Sequence, residues 1–340
     1  MFGFGSMLKD YLEYHNISQS DFAKRLGISQ KHINNILNEN ADISEDLMIA
    51  ISLITDIDIK LITFVETKKK LYNFLNTKFK DEKEINDYLN SFHIKEMDKM
   101  GWLTLNDKTS YLQNAYDLLR YLNVRDFNIY DKYAKETIFF KKYSDADLKK
   151  VFLWITRCDK LIQKQKVNDY SKDNFNKLLN ELKKERNKPF NKDNLIRLFN
   201  KFGIYLVIED ALKGTKIRGC TKVVGSNPAI YMTCYLKEKS SFYFSLYHEL
   251  GHVKSEYNKA KSKVIINGSD DEEKRADNFS LNEMIPNDIY KLILDNFDKK
   301  DKIAKENNIP LCFLYSRLAY EGKKSYKDKN YLESREKIDY

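Results

Sequence analysis

The chain has 340 residues, of which 42% are hydrophobic, and it carries a net charge of +9 at pH 7. This length is sufficient for about two or three domains with packed cores. No apolar run approaches the roughly 20 residues that a membrane helix needs, and the first residues lack the basic leader of a signal peptide. We therefore expect a cytoplasmic protein with no membrane partner, whose charge is compatible with an anionic one.

The cysteines predict no covalent or metal framework. They lie far apart and include no CxxC pair, so neither a disulfide framework nor a zinc ribbon is expected. A reducing compartment suits such a set, which consists of Cys158, Cys220, Cys234 and Cys312.

Residues 1–65 have a helix-turn-helix pattern. Ser18 and Ser29 are placed to cap two successive helices, and Gly27 ends the first of them. Side chains that face outward from the second helix can read base edges, and one at the start of the first helix can meet a phosphate. The residues expected to contact DNA are Gln19, Gln30, Lys31, Asn34 and Asn35.

The stretch SQSDFAKRLGISQKHINNILN resembles the XRE-type helix-turn-helix, in the form found in HigA-like antitoxins. This resemblance implies binding to a double-stranded DNA operator, usually as a homodimer. Residues 1–65 nevertheless hold nine Asp and Glu against five Lys and Arg, so only the face around Lys24, Arg25 and Lys31 is basic. The alternative interpretation is a packing module that has lost its operator.

Residues 66–188 show helical periodicity without recognisable chemistry, which predicts a helical connector. After this segment the period changes. Three runs rich in β-branched and alternating apolar residues predict a short sheet of about three strands, at Ile204–Ile208, Ile217–Val224 and Ala229–Leu236. We expect Ala229–Tyr235 to form a sheet edge that can pair with an extended peptide.

The stretch from His248 to His252 reads His-Glu-Leu-Gly-His. The spacing of four residues puts both imidazoles on one face of a helix, where two neutral ring nitrogens can hold Zn²⁺. Glu249 then stands beside the metal and can take a proton from the water that attacks a polarised carbonyl. The alternative is a helix face with two structural histidines.

A third zinc ligand is expected on the following helix, and Glu273 is the predicted one. Glu272 remains an alternative, because adjacent residues differ by only about 100° around a helix. Asp277, four residues after Glu273, can accept a hydrogen bond from a ligating imidazole and fix its tautomer. Ala276 is small enough to let the two helices approach closely.

Four stretches together resemble the ImmA/IrrE family of zinc metallopeptidases: GTKIRGCT, PAIYM, FYFSLYHELGH and EEKRADNFSLNEMIP. The similarity covers residues 188–323 and implies a zinc peptidase that cleaves repressors or controls transcription. Many members carry a further His one turn after the motif, where this chain has Ser255 and Glu256. No His follows His252, so the oxyanion partner would be one of several side chains, namely Tyr243, Tyr247, Tyr257 or Arg218.

The predicted architecture is multidomain: an all-α DNA-binding head at 1–65, a helical connector at 66–188, and an α+β, zincin-like metallopeptidase domain with a small sheet at 189–340. In the first functional interpretation, the protein is a transcriptional regulator whose zinc endopeptidase cleaves a repressor or toxin-type partner. In the second, it is an antitoxin-like repressor whose zinc domain binds or senses a partner without proteolysis. The intact Glu249 favours the first, since a binding domain has no chemical need for this carboxylate.

Overall fold

The computed structural model describes residues 3–105, 110–139, 145–266 and 268–338. The chain forms two compact units, Met1–Tyr121 and Leu122–Tyr340. The division therefore falls inside the predicted connector and not at either of its ends. None of the helices in the described ranges combines the length and apolarity that crossing a bilayer requires.

Every regular element that the structure describes in the first unit is a helix. The predicted caps are present, since the Ser18 and Ser29 hydroxyls accept hydrogen bonds from backbone N–H groups three residues on, and Gly27 adopts a left-handed φ of +66°. The helices are α1 (Phe4–Tyr14), α2 (Gln19–Leu26), α3 (Gln30–Leu37), α4 (Glu45–Thr55), α5 (Ile59–Asn76), α6 (Glu82–Ser91), α7 (Ile94–Lys99) and α8 (Tyr111–Leu122).

Helix α5 is connected to the start of α1 through two carboxylates, Glu66 of α5 itself and Glu39, which pairs with a lysine of α5. The fully buried Glu66 accepts a hydrogen bond from the Phe4 N–H at 3.1 Å, and Glu39 accepts one from the Ser6 N–H at 3.0 Å. Both N–H groups belong to the first turn of α1, which has no partner for them within the helix. Lys69 of α5 pairs with Glu39 at 2.6 Å. The start of α1 is therefore capped from α5 and from the segment after α3.

The second unit combines helices with a sheet. Its elements are α9 (Phe127–Thr137), β1 (Ile138–Phe139), α10 (Asp145–Ile162), α11 (Lys172–Glu185), α12 (Lys192–Lys201), β2 (Tyr205–Ile208), β3 (Gly219–Val224), β4 (Asn227–Met232), α13 (Lys239–Ala260), β5 (Val264–Ile265), α14 (Asp270–Met284), α15 (Asn287–Asp295), a 3₁₀ turn (Phe297–Lys299), α16 (Lys300–Glu306), α17 (Leu311–Tyr320) and α18 (Lys329–Ser334).

The sheet is mixed and has the strand order β1-β5-β3-β4-β2. β3 and β4 form an antiparallel hairpin, and β2 pairs in parallel with β4. All three predicted strands are present. The first two begin one or two residues later than predicted, and the third runs from Asn227 to Met232 instead of from Ala229 to Leu236. β1 and β5 were not predicted, since two-residue strands carry no readable alternation.

The prediction that Ala229–Tyr235 forms a substrate-binding edge is wrong. β4 lies inside the sheet, with β2 on one side and β3 on the other, so its backbone groups are already paired. Tyr205 pairs with Ala229, and Gly219 pairs with Met232. A single sequence shows that a strand is apolar, but it does not show which neighbours lie beside it.

Helix α13 is the centre of the second unit and packs against β3, β4, α14 and α17. Its close neighbour is α14, at the point where Gly251 faces Ala276. A Cβ atom placed on Gly251 would lie 2.9 Å from the Ala276 Cα atom and 3.3 Å from its Cβ atom. The two helices therefore meet through residues that carry little or no side chain.

Replacing Gly251 with Ala is expected to destabilise the protein, although Ala is the better helix former by about 1 kcal/mol. The added methyl group meets backbone, which cannot rotate away, and overpacking of this kind costs about 1 to 3 kcal/mol. The urea midpoint should fall for Gly251→Ala. It should hardly move for Ser255→Ala, an exposed position on the same helix. An unchanged midpoint for Gly251→Ala would contradict the close approach.

Candidate metal centre and nucleic-acid interface

The two histidines of α13 direct the same ring nitrogen to one point. His248 and His252 lie one turn apart, and their Nε2 atoms are 3.1 Å from each other. His252 is buried and His248 is half-buried, so the point between them is shielded on the side of the core. Two imidazole nitrogens this close to each other indicate a place for a shared proton or a cation.

Glu273 of α14 faces this point from the other side. Its Oε2 atom lies 3.3 Å from His248 Nε2, and its Oε1 atom lies 3.4 Å from His252 Nε2. One ligand atom from each of the three residues can be chosen so that all lie within 4.8 Å of one another. Glu272 points elsewhere, since it pairs with Lys259 and closes the capping box of α14.

The outer nitrogen of each imidazole contacts a carboxylate. His248 Nδ1 lies 2.8 Å from Asp277 Oδ1, and His252 Nδ1 lies 3.2 Å from Glu256 Oε2. In the neutral imidazole such a contact holds the proton on Nδ1 and leaves the lone pair of Nε2 for a cation. Asp277 therefore contacts the His248 imidazole, and its role beside a metal stays a prediction.

Glu256 is a site residue that the sequence reasoning missed. Its side chain is buried, and Arg275 donates to its Oε1 atom at 2.9 Å. Its backbone leaves helical geometry, with φ of −116° and ψ of 21°, so α13 kinks there. The available signal was its position four residues after His252, on the same helix face.

Glu249 lies under the histidines, against the sheet. The Thr221 hydroxyl donates to its Oε2 atom at 2.7 Å. Its Oε1 atom is opposite Gly219, where a Cβ atom would lie only 2.9 Å away. β3 therefore fixes the position of the carboxylate in two ways. Thr221 donates a hydrogen bond to it, and Gly219, which has no side chain, leaves space for it.

The site favours positive charge at the histidines. Burial lowers the pKa of His248, but hydrogen bonds to Asp277 and Glu273 outweigh it and raise the pKa to about 10. Burial also lowers the pKa of His252, yet bonds to Glu256 and Glu273 raise it to about 9. Carboxylates that surround a point and stabilise protons there would also stabilise a divalent cation.

The carboxylates differ in their own proton affinity. Burial raises the pKa of Glu273, but hydrogen bonds from His248, His252 and the Gly268 N–H hold it well below its usual range. Burial raises the pKa of Glu249 above its ordinary value, against the charges of the two histidines. A carboxylate that is easier to protonate is the better proton acceptor, so Glu249 and Glu273 suit different roles.

Among the four possible oxyanion partners, three are committed elsewhere. Tyr243 and Tyr247 are buried in the core, and the Tyr257 hydroxyl donates to the Ser226 carbonyl at 2.8 Å. Arg218 is exposed, directly precedes Gly219, and forms no ion pair with any residue in the described ranges. Its guanidinium is therefore the one of the four candidate groups that is both exposed and without an ion pair in the described ranges.

The predicted DNA contacts lie on the outer faces of α2 and α3. Gln30, Lys31 and Asn34 are exposed, while Gln19 and Asn35 are half-buried. The Asn34 Oδ1 atom accepts a hydrogen bond from Asn38 at 3.0 Å, which leaves its amide N–H groups as donors. Apolar residues of α3 face the core, as the spacing predicts: Ile33, Ile36 and Leu37.

The start of the first unit matches a known protein-family model. Residues 8–62 match the model described as helix-turn-helix. The head is a helix-turn-helix domain. This match supports DNA binding and a role in transcription regulation for the chain. Comparisons with curated proteins and with solved structures gave no match.

Proposed function

We propose that this chain is a DNA-binding transcriptional regulator whose second unit is a zinc-dependent endopeptidase with a zincin-like fold. The observation that carries the proposal is the convergence of His248, His252 and Glu273 on one point beside the fixed carboxylate of Glu249. The helix-turn-helix head would bring this activity to an operator or regulate the chain's own promoter.

The three side chains fit zinc by distance and by donor type. Ligands about 2.0 to 2.2 Å from a tetrahedral zinc ion are roughly 3.3 to 3.6 Å apart. The two Nε2 atoms are 3.1 Å apart, and Glu273 lies 3.3 Å from His248 through Oε2 and 3.4 Å from His252 through Oε1, each close to this range. One oxygen of Glu273 and the two nitrogens lie within 4.8 Å of one another. Two imidazoles and one carboxylate leave a fourth position open, as catalytic zinc sites do. Bound zinc would supply a Lewis acid that polarises the scissile carbonyl and lowers the pKa of water.

Glu249 is proposed as the general base. Its raised pKa and its fixed position allow it to accept the proton of the attacking water and pass it to the leaving amine. The Thr221 hydrogen bond orients the carboxylate without neutralising it. Arg218, at the start of β3, is proposed to stabilise the oxyanion that forms on the substrate.

The start of β3 is the proposed place for the peptide. At Gly219, β3 pairs with Met232 of β4, and two residues further on, at Thr221, it also pairs with β5. A peptide aligned there would pass beside Glu249, whose carboxylate lies in the space that a Cβ atom on Gly219 would take. The resemblance to ImmA/IrrE peptidases supports a repressor or a toxin-type protein as the substrate.

Zinc analysis of two neighbouring variants tests the centre. Wild-type protein should bind about one zinc per chain, and Glu273→Gln should lose most of it, because a neutral amide is a poor zinc ligand. Glu272→Gln is the matched control, since this carboxylate faces Lys259 and should leave zinc uptake intact. Metal content by mass spectrometry after zinc titration is the measurement. Wild-type protein that takes up no zinc, or equal loss in both variants, would remove the centre.

A further inference from the structure

A cavity of about 800 Å³ lies in the first unit, between α5 and α8. This volume is in the range of about 300 to 1,000 Å³ typical of small-molecule sites. The α5 wall consists of side chains that recur on one face of the helix, including Lys60, Phe64, Lys68 and Leu71. The α8 wall includes Gln113, Asp117 and Arg120.

The apolar part of the cavity is open to solvent. The Phe64 side chain is 63% exposed, and Ile59 at the start of the same face is also exposed. The other side of α5 is covered, because Ile62 and Glu66 are fully buried in the unit. Lys68 Nζ lies 5.8 Å from the centre of the Phe64 ring, yet most of this side chain stays in contact with water, which is unfavourable for an aromatic ring.

The charged part of the cavity is unbalanced. Lys60, Lys68 and Arg120 contribute three positive charges against the one carboxylate of Asp117. Asp117 already accepts a hydrogen bond from Gln113 at 2.9 Å. Neither Lys60 nor Arg120 forms an ion pair with a residue in the described ranges. The cavity therefore offers cations beside an apolar surface.

This charge pattern decides between occupants. A second copy of the chain packed through the same face in a two-fold dimer would bring together two surfaces of the same net positive charge, which is unfavourable. An anion with an apolar body suits both parts of the cavity at once. We propose that the cavity between α5 and α8 binds a small amphipathic carboxylate, with its apolar chain on Phe64 and Leu71 and its charge at Arg120.

Isothermal titration of the full-length protein with dodecanoate, below its micelle concentration, tests this site. Saturable binding of about one ligand per chain is expected. Phe64→Ser and Arg120→Ala should each weaken it by about tenfold or more, which corresponds to about 1.4 kcal/mol. Phe74→Ser is the matched control, because Phe74 is exposed on the same helix outside the cavity. All four proteins should melt alike, since the three replaced side chains are exposed.

Three outcomes would overturn the proposal. The first is no saturable binding, or equal binding of dodecyltrimethylammonium, which has the same chain and the opposite charge. The second is that the protein binds phosphatidylglycerol vesicles but not free dodecanoate, and that Phe64→Ser abolishes the vesicle binding. This result would assign the face to a membrane surface. The third is concentration-dependent dimerisation that Phe64→Ser abolishes, which would assign it to a second copy. None of these depends on the zinc centre, so this proposal and the proposed peptidase can fail separately.

Discussion

Replacing Glu249 with Gln is expected to leave zinc bound and to slow cleavage of the partner protein by about 10²- to 10⁴-fold, the usual contribution of a principal general base. Gln keeps the size of the side chain and can still accept a hydrogen bond from Thr221. It has no lone pair basic enough to take a proton from water. The measurement is the intact mass of the co-purifying partner over time, together with the zinc content of the variant.

The matched control for this variant is Glu306→Gln, which makes the same chemical change at an exposed position on α16. It should cleave like the wild type. The proposed peptidase activity would be contradicted if the partner stayed intact with both the wild type and Glu249→Gln, in samples where the complex forms and zinc is bound. The second unit would then be a binding or sensing domain. In that case His248→Ala, which unseats the metal, should still impair partner binding.

Replacing Gln30, Asn34 and Asn35 together with Ala is expected to remove sequence preference from the helix-turn-helix head. Each lost base contact costs about 1 to 3 kcal/mol, so even the lower figure for three contacts is about a hundredfold in specificity. Competition binding against operator and unrelated duplexes is the measurement. The matched control is Asn73→Ala with Asn76→Ala, which removes two exposed amides from α5.

Lys31→Ala should behave differently from the triple variant, because a phosphate contact carries no sequence information. It should weaken all duplexes alike and reduce the slope of affinity against salt by about one. If the head binds as a homodimer, a footprint should show two half-sites about one helical turn apart. Equal affinity of the wild type and the triple variant for every duplex would contradict base reading by α3.

The parts of the structure that follow from local rules could be predicted. Caps depend on one side chain and an N–H group three residues on, so Ser18 and Ser29 were identifiable. That a carboxylate of the Glu272–Glu273 pair approaches the histidines was predictable from helical geometry and the small residue at Ala276. The separate roles of Glu272 and Glu273 needed the structure, since a register difference of one residue decides which carboxylate faces the histidines.

Other features depend on contacts between distant segments. The position of β4 inside the sheet depends on β2, which returns to it in parallel. The contact of Thr221 with Glu249 joins residues far apart in sequence and has no local signature. Glu256 had a signal in its spacing, but its burial and its kink depend on α14 packing nearby. Long-range pairing is the information that a single sequence does not contain.

The capping of α1 from α5 has a practical meaning for anyone who wishes to express or exchange the DNA-reading part. A fragment that stops at residue 65 cuts through α5 and removes Glu66 and Lys69, which hold the Phe4 N–H and Glu39. The start of α1 would lose its acceptor, at a cost of about 1 to 3 kcal/mol in a fragment with little stability to spare. A DNA-binding fragment that folds on its own should therefore extend at least through Asn76, the last residue of α5. A regulator that acquired this fragment by recombination would have had to inherit α5 with it.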